Sequence, residues 1–215
     1  MNHSTELVFI LDRSGSMSGL EKDTIGGFNS MLAKQKELEG SCLVTTVLFN
    51  HDYKLLHDRI DIRAIQAIRE KEYFVGGGTA LLDAIGKSIH KISNIQRHTD
   101  KKHRASKVLF IIITDGEENS SREYSSAKVK SMIEKMKSKY QWEFVFLAAN
   151  IDAVKSAASI GISSNRALDY VADSQGTTLN FEVMDTLVET YRDTGYIKED
   201  VLNRVRLDAK KRLKR

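Results

Sequence analysis

The chain contains 215 residues with a formal net charge of +4, and 41% of them are hydrophobic, which is ordinary for a globular protein. This length suits one large α/β domain better than two small ones. A single cysteine, Cys42, excludes an intramolecular disulfide, and no apolar run approaches the length of a membrane span.

The amino-terminal residues lack the features of a signal peptide. Residues 1–6 have no basic region, and the apolar run that follows them is too short. Cys42 falls at the start of an expected strand, where a small buried apolar residue is typical, and a lone cysteine fits a reducing compartment. We therefore expect a soluble cytoplasmic protein with no membrane association.

The first half of the chain alternates between strand and helix patterns, and no proline interrupts it. Only a short turn separates its second and third strands, so the third should return antiparallel at the edge of a sheet. In chain order we predict strand Leu7–Leu11, helix Asp23–Glu39, strand Leu43–Phe49, strand Tyr53–Ile60, one or two helical turns within Asp61–Ile68, and helix Ala80–Ile92.

The second half continues the alternation. The predicted elements are strand Lys107–Thr114, helix Ser125–Lys139, strand Trp142–Ala149, helix Ala153–Ile160, strand Arg166–Val171 and helix Thr177–Asp193. Such alternation predicts an α/β fold of the Rossmann-like kind. Its central sheet should be mostly parallel, with one antiparallel edge strand and helices on both faces.

Two basic segments stand outside this pattern. Residues 101–104 precede a buried strand and are expected to form an exposed loop. The last ten residues contain six cationic side chains against Asp208 alone: Arg206, Lys210, Lys211, Arg212, Lys214 and Arg215. Because this tail lacks aromatic residues, we interpret it as a solvated helix end and not as a nucleic-acid contact. We divide the chain into an α/β domain over residues 1–194 and a basic, helical extension over residues 195–215.

Three loops carry side-chain oxygens at the carboxyl ends of strands or at the start of a helix. The first is residues 12–16, Asp-Arg-Ser-Gly-Ser; the second contains Thr79 after three glycines; the third begins with Thr114 and Asp115. Each alone is also typical of an ordinary turn or helix cap. Ligand sites in open α/β sheets form at this edge, so together the loops predict two carboxylates and three hydroxyls around a divalent cation.

Here the sequence resembles the von Willebrand factor A-type domain. The residues that match its metal-ion-dependent adhesion site are Asp12, Ser14, Ser16, Thr79 and Asp115. Their contexts also match, with Gly-Gly-Gly-Thr-Ala-Leu in the second loop and Ile-Ile-Ile-Thr-Asp-Gly in the third. The resemblance extends over residues 5–190 and is nearest to the stand-alone intracellular members from bacteria, archaea or their phages.

The ligand set indicates which ion would bind. Two carboxylates roughly cancel the charge of a divalent cation, and neutral hydroxyls suit Mg²⁺, with Mn²⁺ as a close substitute. Ca²⁺ prefers more carboxylates, and we expect it less than the other two. Water or an acidic side chain from another molecule would complete the coordination. The resemblance implies that Ser14 and Ser16 bind directly, that Thr79 and Asp115 alternate between direct and water-mediated contact, and that a partner's Asp or Glu is the external ligand.

Further side chains are candidates for supporting roles at this edge. Asp83, four residues after Thr79, is expected either to hold a metal-bound water or loop amide, or only to stabilise the start of its helix. Glu117 and Glu118 either form the rim of the site or are simply solvated. Asn150 and Asp152 follow another strand and are expected along the same edge.

Two other classes of function are alternatives to an interaction module. A metal-dependent hydrolase or phosphatase needs a nucleophile and a poised acid or base, yet no histidine lies in the three loops and the serines are used as ligands. There is no nucleophile elbow and no phosphate-binding Gly-x-x-x-x-Gly-Lys loop. An accessory subunit of an ATPase or stress-response complex would use the same site, and the sequence does not separate it from a general interaction module. We expect a metal-dependent protein-interaction module that is not an enzyme, with no small-molecule substrate and no nucleic acid as partner.

Overall fold

The computed structural model describes residues 4–212, and it contains the predicted mostly parallel sheet. Six strands lie in the order β3-β2-β1-β4-β5-β6, and only β3 is antiparallel to its neighbour, β2. The strands are β1 Thr5–Asp12, β2 Cys42–Phe49, β3 Tyr53–Asp61, β4 Lys107–Thr114, β5 Glu143–Ala148 and β6 Ala167–Asp169. The fold class expected from the sequence is confirmed.

Six α-helices cover the two faces of the sheet among the described residues. They are α1 Glu21–Lys36, α2 Leu81–His98, α3 Ser126–Tyr140, α4 Ala153–Ser159, α5 Ser174–Thr194 and α6 Asn203–Arg212. None of the helices within residues 4–212 is long and apolar enough to cross a membrane.

The core has two layers because successive side chains of a strand point to opposite faces. From β1, Phe9 contacts Phe28 of α1 edge to face, with ring centroids 5.1 Å apart, on the face that α1 and α5 cover. Ile10 points to the other face, which α2, α3 and α4 cover. All eight residues of β1 are buried, as expected for a central strand that is covered on both faces.

Some helix boundaries differ from the predicted ones, and local hydrogen bonds explain two of them. Helix α5 begins at Ser174 and not at Thr177, because the Asp173 carboxylate accepts a hydrogen bond from Gly176 N at 2.7 Å and caps the helix. Helix α2 continues past Ile92 to His98, where both the backbone and the hydroxyl of Thr99 bond to the Ile95 carbonyl. The last strand is shorter than predicted, at three residues.

Helix α6 lies against α5 and β6 and uses part of the basic tail for internal contacts. Arg206 donates hydrogen bonds to the carbonyls of Ser164, Asn165 and Ala167 at 3.0–3.4 Å. Arg212 forms ion pairs at 2.9 Å with Asp173 and Asp208. The predictions for Lys214 and Arg215, and those for residues 1–3, concern positions outside the described residues.

Candidate metal centre

The first and third loops meet at the carboxyl edge of the two central strands. Asp12 ends β1 and Asp115 directly follows β4, and these strands are neighbours in the sheet. Chain connections leave β1 toward β2 on one side and reach β4 on the other, so this edge is a topological switch point. The order of strands therefore places both carboxylates at the position where open α/β sheets bind ligands.

Asp12 is fixed by hydrogen bonds on both carboxylate oxygens. Oδ1 accepts one from the backbone N–H of Ser14 at 2.6 Å, and Oδ2 accepts one from Thr114 Oγ1 at 2.5 Å. The backbone carbonyl of Asp12 accepts a further one from the Tyr73 hydroxyl at 2.5 Å. These contacts hold the carboxylate in one orientation, with its side chain buried.

The two serines connect the first loop to the third. Ser14 Oγ and Ser16 Oγ lie 3.0 Å apart, and Ser16 Oγ donates a hydrogen bond to Asp115 Oδ1 at 2.5 Å. A 3-10 turn over Gly15–Met17 brings Ser16 back over Ser14. The four side chains Asp12, Ser14, Ser16 and Asp115 therefore form one polar cluster across two loops.

Gly116 shows that Thr79 belongs to the same cluster. A Cβ atom placed on Gly116 would lie 2.9 Å from both Ser16 Oγ and Thr79 Oγ1, and 3.6 Å from Ser14 Oγ. The three predicted hydroxyls thus surround one small volume that only a glycine leaves open. The structure brings all five proposed ligands together, although their role in metal binding stays a prediction.

The glycine-rich second loop is bound to the first loop through its backbone. Gly76 N donates to the Arg13 carbonyl at 2.9 Å, and Gly15 N donates to the Gly77 carbonyl at 3.0 Å. Gly77 has a φ of 77°, in the left-handed region that favours glycine, and the His51 ring packs where a Cβ would stand. Sequence reasoning placed His51 outside the three loops, but the fold brings its ring to the second one.

Burial alters the acid–base properties of both carboxylates. Loss of solvation raises the pKa of Asp12 to about 6, against the opposing effect of its hydrogen bonds from Thr114 and Ser14. Burial also raises the pKa of Asp115 above its ordinary value. A bound cation would stabilise the ionised forms of these two buried carboxylates and so lower their pKa values.

One oxygen of the cluster has no partner within the described protein. Asp115 Oδ2 is buried and makes no hydrogen bond, which is costly for a carboxylate oxygen. A divalent cation among the neighbouring hydroxyls would satisfy it, so the residues present fit a small ion that prefers oxygen ligands. Within residues 4–212 no group of three or more His, Cys, Asp or Glu side chains is placed to hold a metal, so the hydroxyls are essential to this assignment.

The expected supporting residues have distinct contacts. The Asp83 carboxylate accepts hydrogen bonds at 2.9–3.0 Å from the backbone N–H groups of Arg122, Glu123 and Tyr124, so it holds the loop before α3. Glu118 is half-buried and accepts hydrogen bonds from the backbone of Leu82, Ser120 and Ser121 and from the Ser121 hydroxyl. Both carboxylates therefore bind loop amides.

The remaining candidates face solvent. Glu117, Asn150 and Asp152 are exposed, and Asp152 caps α4 through the backbone N–H of Lys155 at 2.8 Å. Asn150 has a φ of 57°, in the left-handed region, two residues after the end of β5. Of these three, Glu117 is nearest in sequence to a proposed ligand, two residues after Asp115.

Sequence reasoning missed three side chains that shape the site. Tyr73 and Thr114 bond to Asp12, and Asn119 Oδ1 accepts the backbone N–H of Thr79 at 2.8 Å. Thr114 had a usable signal, because it is a hydroxyl directly before a proposed ligand at the end of a buried strand. The contacts of Tyr73 and Asn119 depend on loop paths that no local pattern specifies.

Comparisons with known proteins agree with this architecture. The model of a family described as von Willebrand factor type A domain matches residues 6–186. A solved von Willebrand factor type A structure from Catenulispora acidiphila superposes with a TM-score of 0.55 at 15% identity, over 86% of this chain and 42% of that chain. No curated protein sequence matches the chain.

Two further solved structures are similar at comparable levels. The ArnB paralog VWA2 from Sulfolobus acidocaldarius has a TM-score of 0.54 and 15% identity, with 85% of this chain and 45% of that chain covered. The manganese-loaded TRAP protein from Plasmodium vivax has a TM-score of 0.56 and 17% identity, with 84% of this chain and 74% of that chain covered. At these identities the likeness shows the fold alone, and the chain spans less than half the length of the Catenulispora and Sulfolobus proteins.

Proposed function

Since the chain belongs to the von Willebrand factor type A domain family, we propose that it binds an acidic side chain of a partner protein through a divalent cation. The cation is held by Asp12, Ser14, Ser16, Thr79 and Asp115. Domains of this family commonly act as metal-dependent interaction modules. The observation that carries the assignment to these residues is the buried, unpartnered Asp115 Oδ2 beside three converging hydroxyls.

Mg²⁺ is the proposed ion, with Mn²⁺ as a substitute. Two carboxylates and three neutral hydroxyls supply modest charge and few strong ligands, which suits a small ion that retains water. Ca²⁺ is a weaker fit because it prefers more carboxylates and a larger coordination number. The ion supplies a positive centre for a partner carboxylate, while the protein residues fix its position and leave room for that external group.

An interaction module accounts for the site better than a hydrolase does. The hydroxyls of Ser14 and Ser16 are hydrogen-bonded to each other, and that of Ser16 also bonds to Asp115. The His51 ring is exposed, and its Nε2 atom lies 3.5 Å from Oδ2 of Asp52, which is exposed as well. We therefore propose that the protein has no catalytic activity of its own. Turnover of phosphate or acyl esters that disappears in both Ser14→Ala and His51→Ala would contradict this.

The single cysteine bears on the cellular compartment that we propose. Cys42 is a free, buried thiol, and burial raises its pKa to about 12, so it is an unreactive apolar residue. A domain with one such cysteine suits the reducing cytoplasm. We assign the protein there, with a partner protein that presents Asp or Glu.

The test is calorimetric titration of chelator-treated protein with Mg²⁺ and with Mn²⁺. Wild-type protein should bind one ion, and Asp12→Ala should bind none. Asp200→Ala, which removes an exposed aspartate outside the site, is the matched control and should bind like wild type. If Asp12→Ala keeps its circular dichroism spectrum and still binds with wild-type affinity, the proposed site is wrong.

A further inference from the structure

An exposed aromatic ring stands beside the proposed metal site. Phe74 is 55% exposed, whereas Tyr73 before it is buried. The segment that carries it is bound to the first loop at three points: Tyr73 to Asp12, Gly76 to Arg13, and Gly77 to Gly15. Phe74 is therefore a large apolar side chain that a well-anchored segment holds in solvent.

Two cations lie near this ring. The Arg13 guanidinium carbon is 4.6 Å from the Phe74 ring centroid, and Lys54 Nζ is 5.9 Å from it. Both distances are within the range of cation–π attraction. Arg13 stands in the chain between two of the proposed ligands, so the Phe74 ring contacts the loop that carries them. We call Arg13, Lys54 and Phe74 the Phe74 patch.

Arg13 is unusual within this patch. It is only 4% exposed, and its Nε and Nη1 atoms are buried without a hydrogen-bond acceptor. Buried guanidinium groups are normally paired with carboxylates or carbonyls, because an unpaired charge is costly to bury. The guanidinium of Arg13 stacks on the Phe74 ring. A buried charge therefore holds the exposed ring in place.

We propose that the Phe74 patch is a second contact for the same partner, and that it receives an aromatic side chain close in sequence to the metal-bound Asp or Glu. This inference rests on the proposed function. A ring fixed by a cation offers an edge and a face for a second ring, and aromatic pairs prefer such offset or edge-to-face contacts. The half-buried Lys54 of the patch also favours a partner segment that is acidic overall.

The length of the loops limits the spacing within the partner. Phe74 is two residues from Gly76, which bonds to Arg13, and Arg13 is adjacent in sequence to Asp12 and Ser14. With about 3.8 Å between consecutive Cα atoms, these few links limit the distance between the backbones of Phe74 and the ligands to roughly 15 Å at most. An extended peptide advances about 3.3 Å per residue, so the aromatic residue should be within about four positions of the carboxylate.

The probe is a set of short synthetic peptides with blocked ends. Each contains one aspartate in a glycine background, with a tyrosine one, two, three or four positions away, and a matched peptide carries alanine in place of tyrosine. Binding to Mg²⁺-loaded protein is followed by NMR titration, with a chelator-treated sample as the reference. Because an aromatic pair contributes about 0.5–1.5 kcal/mol, we expect at least one spacing to bind about three- to ten-fold tighter than its alanine match.

Two variants of the exposed Phe74 test the surface, and Phe74→Leu keeps an apolar side chain over the buried Arg13 guanidinium. Phe74→Ala and Phe74→Leu should both remove the tyrosine advantage, while the metal-dependent affinity for the alanine peptide stays unchanged. The control is Tyr196→Ala, which removes a 76% exposed ring near Lys107, the first residue of β4, whereas the metal site follows the last residue of that strand; it should keep the advantage.

The outcomes separate the two proposals. If the alanine peptides bind in a metal-dependent way but tyrosine adds nothing at any spacing, the metal site stands and the Phe74 patch is overturned. If tyrosine helps equally in Phe74→Ala, the aromatic contact lies elsewhere and the patch is again overturned. If no peptide binds in a metal-dependent way, the carboxylate-binding function fails, and the inference fails with it.

Discussion

Ser16 Oγ and Asp115 Oδ1 are joined by a hydrogen bond of 2.5 Å across 99 positions of sequence. The bond connects a neutral proposed ligand to a charged one, and it leaves Asp115 Oδ2 as the unpartnered oxygen. A serine hydroxyl can donate its proton to a carboxylate while its lone pairs face a cation. The bond is therefore compatible with metal binding and orients both groups for it.

This relationship predicts unequal effects at the two positions. Asp115→Asn removes a charge and should weaken Mn²⁺ binding by at least about ten-fold, or about 1.4 kcal/mol. Ser16→Ala removes one neutral oxygen and should weaken it by a smaller factor. Calorimetry measures both affinities, with the exposed neighbour Ser18→Ala as the control. A larger loss in Ser16→Ala than in Asp115→Asn would contradict the assigned roles.

The pKa of Asp12 predicts a pH dependence of stability in metal-free protein. A folded pKa of about 6, above the ordinary 3.8, means that the folded state favours the protonated form. The stabilisation is complete below pH ~3.8 and is lost as the pH rises through about 6, with a total near 3 kcal/mol by linkage.

The measurement is urea unfolding with a chelator at several pH values, for wild type and for Asp12→Asn, which does not titrate at this position. As the pH rises from 4 to 7, the free energy of unfolding of wild type should fall relative to that of Asp12→Asn. Saturating Mn²⁺ should reverse that shift above pH 6, because the ion binds the ionised carboxylate. A difference that does not vary with pH would show that Asp12 titrates normally.

Glu118 and Glu117 are adjacent but should differ in importance for folding. Glu118 accepts three backbone hydrogen bonds and one hydroxyl hydrogen bond near the start of α2, whereas Glu117 is exposed. Glu118→Ala should lower the free energy of unfolding by about 1–3 kcal/mol, because it leaves amides unpaired. Glu117→Ala should change it by less than about 0.5 kcal/mol. Equal effects in denaturant titrations would refute this difference.

Asp83 should support a loop and not the ion itself. Although burial opposes it, hydrogen bonds from the backbone of Arg122, Tyr124 and Glu123 lower the pKa of its carboxyl group. Asp83→Asn should speed amide hydrogen exchange at residues 122–124 and leave Mn²⁺ affinity within about three-fold of wild type. The exposed Asp58→Asn, which removes the ion pair with Lys91, should change neither. A loss of affinity beyond about ten-fold in Asp83→Asn would instead assign it to the metal shell.

Periodic features of the sequence were sufficient to predict the sheet. Apolar runs such as Leu7–Leu11 specify buried strands, and strand–helix alternation specifies a parallel sheet whose carboxyl edge collects the loops. Because this edge is fixed by topology, Asp12 and Asp115 could be expected to meet although 103 positions separate them in the numbering. Their contact required no knowledge of loop conformation.

Contacts that depend on loop paths were not predictable in this way. Tyr73 reaches Asp12 from a segment with no regular structure, and the His51 ring packs on Gly77 because the turn after β2 faces the second loop. From the sequence, Glu118 could be either a rim residue of the site or simply solvated, because no local pattern distinguishes an acidic loop side chain of either kind from one bonded to amides. Such roles depend on three-dimensional proximity and not on sequence periodicity.

Gly116 provides a genetic tool. Its backbone is compatible with alanine, because its φ lies outside the left-handed region, but the added methyl would force the hydroxyls of Ser16 and Thr79 to rotate away. Gly116→Ala would keep every proposed ligand and the net charge of the protein while spoiling the geometry of the site. A strain carrying this allele would separate the biological consequences of metal loading from those of an altered net charge, which an aspartate substitution changes together.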